Sequence, residues 1–273
     1  MMEELSQSMR TQAVSICDGL EGKMLEPSWA ERSAPFGLQL QVTNPKRNFL
    51  SILTSHQQQI AEIIAQYGVG IGRLQESDCP SSLSRPRWVA NGSNPHHKLV
   101  NSCWHDDHPH NHGYVFGICI PPGPEQSTRS DRTGFADLQS VTTGMRDSIH
   151  MLDADLLELG NGNSPALLTA LRNKSSASVW DIMNFYAGIF EQVEGSSKEN
   201  RLYKFLRTLN ARLDALKRIF WIDWEPGTVV LFSSEWRNGG TRLLHAREVC
   251  EHWNKTGNDQ DLYRTMINGS SSQ

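Results

Sequence analysis

A mainly β, α+β architecture is what three features of this 273-residue chain predict: a β-sandwich or jelly roll with a helical insert at about 136–220. Short strand-like runs lie toward both ends with helical periodicity between them, strands and helices do not alternate in the βαβ manner, and no internal repeat is visible. The length suits one sizeable core, so residues 1–273 are read as a single domain.

Along the chain, SHQQQIAEIIAQY (55–67) places Ile60, Ile63, Ile64 and Tyr67 at helical spacing, with Ser55 as the expected N-cap and Gly68 as the stop. The apolar run VGIGRL follows, and then a long Ser/Pro/Asn/Gly-rich loop ending at His96 and His97. HKLVNSCWHDD and GYVFGICI read as two short strands on either side of a histidine cluster. From Ala136 the pattern turns helical: FADLQSVTTGMRDSI, LDADLLEL and SPALLTALRNK. In RLYKFLRTLNARLDALKRIF, Leu202, Phe205, Leu206, Leu209, Leu213, Leu216 and Phe220 keep a 3.6-residue period, the mark of a helix packed on a core. WIDWEPGTVVLFSS reads as strand, Pro-Gly turn, strand, and TRLLHARE as a further strand.

Composition narrows the function. The formal net charge of -4, with no run of Lys or Arg, gives no electrostatic footprint for nucleic acid and leaves small molecules as the expected partners. Five scattered cysteines without a CxxC pair indicate neither a disulfide framework nor a structural zinc site. The opening residues lack an apolar segment, and no run approaches the roughly eighteen apolar residues that span a bilayer. A cytoplasmic protein without a membrane anchor is expected.

The stretch SCWHDDHPHNHGY holds four histidines and two aspartates between His105 and His112. If it is extended, His105 and Asp107 share one face and Trp104, Asp106 and His108 point away. A His-x-Asp pair is two-thirds of a 2-His-1-carboxylate triad, the site of non-haem Fe(II) oxygenases. A distant strand must supply the third ligand, and His245 is the best candidate because Leu243, His245 and Arg247 share a strand face. Other readings stay open. His108, His110 and His112 form a H-x-H-x-H pattern suited to zinc, and histidine-rich loops are often plain solvated surface. His56, His96, His97 and His150 are read as non-catalytic.

WHDDHPHNHGYVFGICIPP, then DRTGFADLQSV, then EPGTVVLFSSEWRNGGTRLLHARE resembles, in order and spacing, the taurine dioxygenase-like family of Fe(II)- and 2-oxoglutarate-dependent oxygenases, over roughly 38–267. The resemblance implies a double-stranded β-helix with iron held by His105, Asp107 and His245, and with 2-oxoglutarate and O2 as co-substrates. It implies oxidation, by hydroxylation or desaturation, of an unactivated C–H bond of a small molecule, with release of succinate and CO2. An intact Asp107 speaks against halogenation, for which family members carry a small residue there. Thr133, in the Thr-x-Phe-Ala-Asp segment, is implied to help bind 2-oxoglutarate. The chain departs from the family's Arg-x-Leu/Met-x-Arg ending, since Gln260 stands where the first arginine is expected, which leaves Arg264 and Arg247 as candidate carboxylate partners. Asn101, four residues before His105, is the candidate substrate contact, and Trp88 and Trp236 are candidate pocket walls or simple packing. A zinc-dependent hydrolase or lyase using the 105–112 cluster, and an inert jelly-roll binding module, are the alternatives.

Overall fold

The computed structural model describes residues 13–25, 34–74, 102–106, 115–119, 132–193, 196–223, 228–248 and 263–267, of which 115–119, 247 and 263–267 are described by their backbone. Its strands are β1 (Ala13–Cys17), β2 (Leu20–Met24), β3 (Leu38–Val42), β4 (Val69–Arg73), β5 (Val115–Cys119), β6 (Arg132–Asp137), β7 (Phe220–Asp223), β8 (Thr228–Ser233), β9 (Glu235–Trp236), β10 (Thr241–Arg247) and β11 (Tyr263–Ile267). Its α-helices are α1 (Phe49–Ser55), α2 (Gln57–Tyr67), α3 (Leu138–Ser148), α4 (Ala154–Asn163), α5 (Pro165–Arg172), α6 (Val179–Val193) and α7 (Lys198–Ala215), so the chain is a mixed α+β protein. None of the described helices is long and apolar enough to cross a membrane.

The strands form a larger sheet in the order β1-β2-β3-β4-β8-β5-β11 and a smaller one in the order β7-β6-β10-β9. Three antiparallel pairings nest inside one another along the chain. The innermost, β6 with β7, lies in the small sheet; the next, β5 with β8, lies in the large one; the outermost is a single bridge that brings His105 to His245 on β10, again in the small sheet. An antiparallel ribbon therefore rolls over itself and deals its successive pairs to alternate sheets.

The burial pattern follows from this roll. β8 is buried at all six positions because both its faces are covered, which is why TVVLFS shows no alternation. Val230 and Phe232 face the small sheet and meet Phe135, Ile222, Trp236 and Leu243. Val229 and Leu231 face the other way, toward Phe49, Ile52, Ile60 and Ile64 of α1 and α2 and Leu38 and Leu40 of β3. β10 divides likewise: Leu243 faces the inner core, whereas Leu244 and Ala246 join the helical layer on the outer face of the small sheet.

Several boundaries differ from the sequence expectation. Ser55 caps no helix: it is the last residue of α1 and donates its hydroxyl to the Ser51 carbonyl at 2.8 Å, while α2 starts at Gln57 with His56 at the cap position. Ala136 and Asp137 belong to β6, and Asp137 accepts from the Ser140 amide at 3.0 Å to start α3. α7 stops at Ala215, so Leu216 is exposed (53%) and Phe220 opens β7, ending the stripe two members early. The strand expected over 97–107 reduces, among the described residues, to the His105 bridge. β1 to β3 and α6 were not anticipated.

Gly68 ends α2 as expected, with φ +82. A Cβ there would sit 2.6 Å from Leu243 Cδ1 and 3.0 Å from Phe36 Cε2. Gly68→Ala therefore combines left-handed strain with overpacking beside β10 and is expected to cost about 2 kcal/mol or more, read as a lower urea midpoint with unchanged slope.

Candidate metal centre

His105 and His245 are brought together by the backbone. The His105 amide donates to the His245 carbonyl at 3.1 Å and the His245 amide donates back at 3.0 Å. Directly bridged residues project their side chains to the same side, and the two rings lie with centroids 4.2 Å apart and planes tilted by 51°. Both side chains are buried, and the His245 ring rests against Phe232 at 4.8 Å and Phe135 at 6.1 Å. The pair thus sits in the seam between the sheets, walled by apolar rings.

His105 Nδ1 lies 2.6 Å from the Cys103 carbonyl oxygen. A carbonyl only accepts, so Nδ1 carries the proton in this contact and Nε2 is the ring nitrogen that could ligate a metal. An oriented imidazole whose far nitrogen bonds a backbone carbonyl is how metal-binding histidines are held, so the donor set fits a metal that takes imidazole nitrogen.

The segment carrying His105 is anchored on its other face. Trp104 is fully buried in the helical core and donates its indole N–H to Asn210 Oδ1 of α7 at 2.9 Å. Burial pushes the Cys103 thiol well up, so this sulfur is packing and not a thiolate nucleophile. Asp106, 1% exposed, forms an ion pair with Arg242 of β10. Neither the Cys103 carbonyl contact nor Arg242 was anticipated. The first is a contact between residues two apart that follows from the local turn of the chain, and the second depends on which strand the 102–106 segment meets, which nothing local in the sequence states.

The other expected site residues take these places. Thr133 on β6 is 2% exposed and stands opposite Arg247 in the ladder, one alternation along from the Phe135–His245 pair. Thr133, Phe135 and His245 consequently share the inner face of the small sheet. Arg264 pairs with Ile118, which pairs with Val230, so it occupies the cross-strand row whose Val230 faces the small sheet. Trp236 is fully buried between the sheets with its indole N–H on the Pro35 carbonyl, a packing residue. Asn101, Asp107, His108, His110, His112, Gln260, His96, His97 and Trp88 lie outside the described residues. Among the described residues no three His, Cys, Asp or Glu side chains converge, and the pair is what the structure assembles. A cavity of about 540 Å³ is lined by Asp137, Thr142, Ser176, Trp236 and Thr241, and another of about 480 Å³ runs along α3 and the end of α7; neither is lined by His105 or His245.

The fold and site together define a mixed α+β protein of two facing sheets with a buried histidine pair at their seam. No protein-family model matches the chain, and no curated protein matches it. Among solved structures the chain is similar to AAD-2 in complex with Mn(II) and N-oxalylglycine, at 14% identity over 92% of this chain and 98% of that one, with a TM-score of 0.41. It is also similar to a taurine dioxygenase from Burkholderia xenovorans, at 12% identity over 91% of this chain and 90% of that one, with a TM-score of 0.36. A likeness at this level assigns no activity to the chain.

Proposed function

We propose that the chain is an Fe(II)- and 2-oxoglutarate-dependent dioxygenase of the taurine dioxygenase-like kind, acting in the cytoplasm as a single domain on a C–H bond of a small molecule. The observation that carries the proposal is the meeting of His105 and His245, two residues far apart in sequence, buried side by side at the seam with His105 Nδ1 held by the Cys103 carbonyl. The nested pairings dealt to alternate sheets support a double-stranded β-helix, since rolling an antiparallel ribbon is how that architecture is made. In this reading His105, Asp107 and His245 hold the iron, and Asn101 meets the substrate.

Once bound, the metal and its co-substrate supply the oxidising chemistry, releasing succinate and CO2. The chain's own residues bind, orient and exclude. The Thr133 hydroxyl is an uncharged donor suited to a carboxylate oxygen, and an arginine fork is suited to the pair of oxygens. Arg264, on β11 in the cross-strand row of Ile118 and Val230, is proposed as one such fork, and Arg247 as the second. Phe135 and Phe232 keep water from the seam, which strengthens every polar contact made there.

The test is an anaerobic titration of metal-free protein with Fe(II) and 2-oxoglutarate. A weak visible charge-transfer band that needs both components, and that Asp107→Ala removes, is the expected result. Tight zinc binding with no such band would replace this reading by the hydrolase, and no metal binding at all by the binding module.

A further inference from the structure

We infer that the Asp106–Arg242 ion pair is a positioning pair that sets the relation between the two histidines, an inference that rests on their binding a metal. The backbone tie between the 102–106 segment and β10 is an isolated bridge: among the described residues there it consists of the two amide–carbonyl bonds of His105 and His245, without neighbouring rungs. Two bonds at one point do not by themselves fix the angle between two strands, and the Trp104–Asn210 contact holds the segment to α7 and not to β10. The ion pair supplies a second point. Asp106 follows His105 by one residue and Arg242 precedes His245 by three, so a contact between them crosses from one strand to the other on the face opposite the imidazoles. The guanidinium reaches a third segment as well, Ser234 Oγ at 3.3 Å, in the corner between β8 and β9. That corner follows Phe232, the ring against which His245 rests. Arg242 therefore ties together the strand of one histidine, the strand of the other and the wall behind them.

Stability alone is a poor reason for such a pair. Taking a carboxylate to 1% exposure costs desolvation that the attraction to Arg242, itself 21% exposed, roughly repays, so its distinctive contribution is a fixed geometry. Asp106 also precedes Asp107 in the chain, so the anchor lies one peptide unit from the carboxylate proposed as the third ligand.

Co(II) serves as the probe, its binding followed by visible spectrum and calorimetry in the wild-type protein and in His105→Ala, Asp106→Asn, Arg242→Met and Arg242→Lys. Thermal unfolding and amide hydrogen exchange are measured on the metal-free proteins. Asp106→Asn and Arg242→Met are expected to weaken Co(II) about 10–100-fold, the scale seen when a ligand's orienting partner is lost. Arg242→Lys, which keeps the charge without the fork, is expected to fall between them and wild type. In the metal-free variants the His105 and His245 amides are expected to exchange faster than their surroundings. Should Asp106→Asn fail to fold, Arg242→Lys carries the comparison alone. Variants that lose thermal stability yet bind Co(II) as wild type does, with unchanged exchange at the two amides, would reduce the pair to an ordinary structural contact. Co(II) binding indifferent to His105→Ala would instead remove the metal reading, and the positioning inference with it.

Discussion

Alanine at His105 or at His245 is expected to abolish Fe(II) uptake, and with it the 2-oxoglutarate band and turnover, while leaving a folded protein. In the proposed site each ring supplies one of the two nitrogen donors, so its removal should exceed the 10–100-fold loss of affinity that follows when only an orienting partner is removed. The fold should survive because the bridge is made by the two backbones and does not need the rings. The two variants should nevertheless differ in stability. His105→Ala leaves the buried Cys103 carbonyl without the donor now 2.6 Å away, a loss of about 1–3 kcal/mol. His245→Ala removes a ring packed on Phe232 and Phe135 and leaves a space in the inner core, a cost of similar size but of packing origin. Urea unfolding of the metal-free variants, beside the anaerobic titration, separates the two effects. A His105→Ala protein that still gives the band would refute the assignment of this ligand.

What could be read from the sequence depended on whether the signal was local. The stripe of α7 was legible from Leu202 to Leu213 because one face of that helix packs on the core and the other meets water. Its end was not, because the break comes at Lys217, which takes φ +51 without being a glycine, and the next apolar residues keep the period while entering a strand. The stripe of α6 is blurred in the sequence by apolar residues on its wetter side, exposed Trp180 and half-buried Met183, yet a local signal stands at its start: Ser178 and Asp181 form a reciprocal cap, the Ser178 amide donating to Asp181 Oδ2 at 3.0 Å and the Asp181 amide to Ser178 Oγ at 3.1 Å. Strand β3, LQLQV, alternates strictly and its signal was legible, whereas β1 (AVSIC) and β2 (LEGKM) are five-residue strands whose alternation is broken by adjacent apolar residues in one and by a glycine in the other.

At the site, the choice of His105 and His245 from ten histidines came from residue order and from the alternation along β10, which does place Leu243 and His245 inward and Leu244 and Ala246 outward. Asp106 was rightly set on the opposite side from His105, but its partner was out of reach. Matching it to Arg242 requires the register of a bridge between segments far apart in the chain, and register is a property of the fold.

The second large effect is expected at Trp104, the residue through which the helical insert holds the candidate ligand segment. Trp104 is fully buried among the residues of the helical core and is hydrogen-bonded to Asn210. Trp104→Ala removes the largest apolar surface in that contact and leaves Asn210 Oδ1 without its indole donor, so a loss of about 3–5 kcal/mol is expected. For a domain of this size that is a drop of roughly 10 °C in Tm, read by calorimetry. Trp104→Phe keeps a six-membered ring but loses the N–H and the five-membered part of the indole, and should cost less than alanine, about 1–3 kcal/mol. The comparison has a consequence beyond stability, because Trp104 and His105 are adjacent and face opposite ways, one into the helices and the other into the seam. If the insert works through Trp104 to hold His105 in place, Trp104→Phe will remain folded yet bind Co(II) more weakly than wild type. If the bridge to His245 and the Asp106–Arg242 pair suffice, Trp104→Phe will bind as wild type does, and the contact with α7 will be a matter of stability alone.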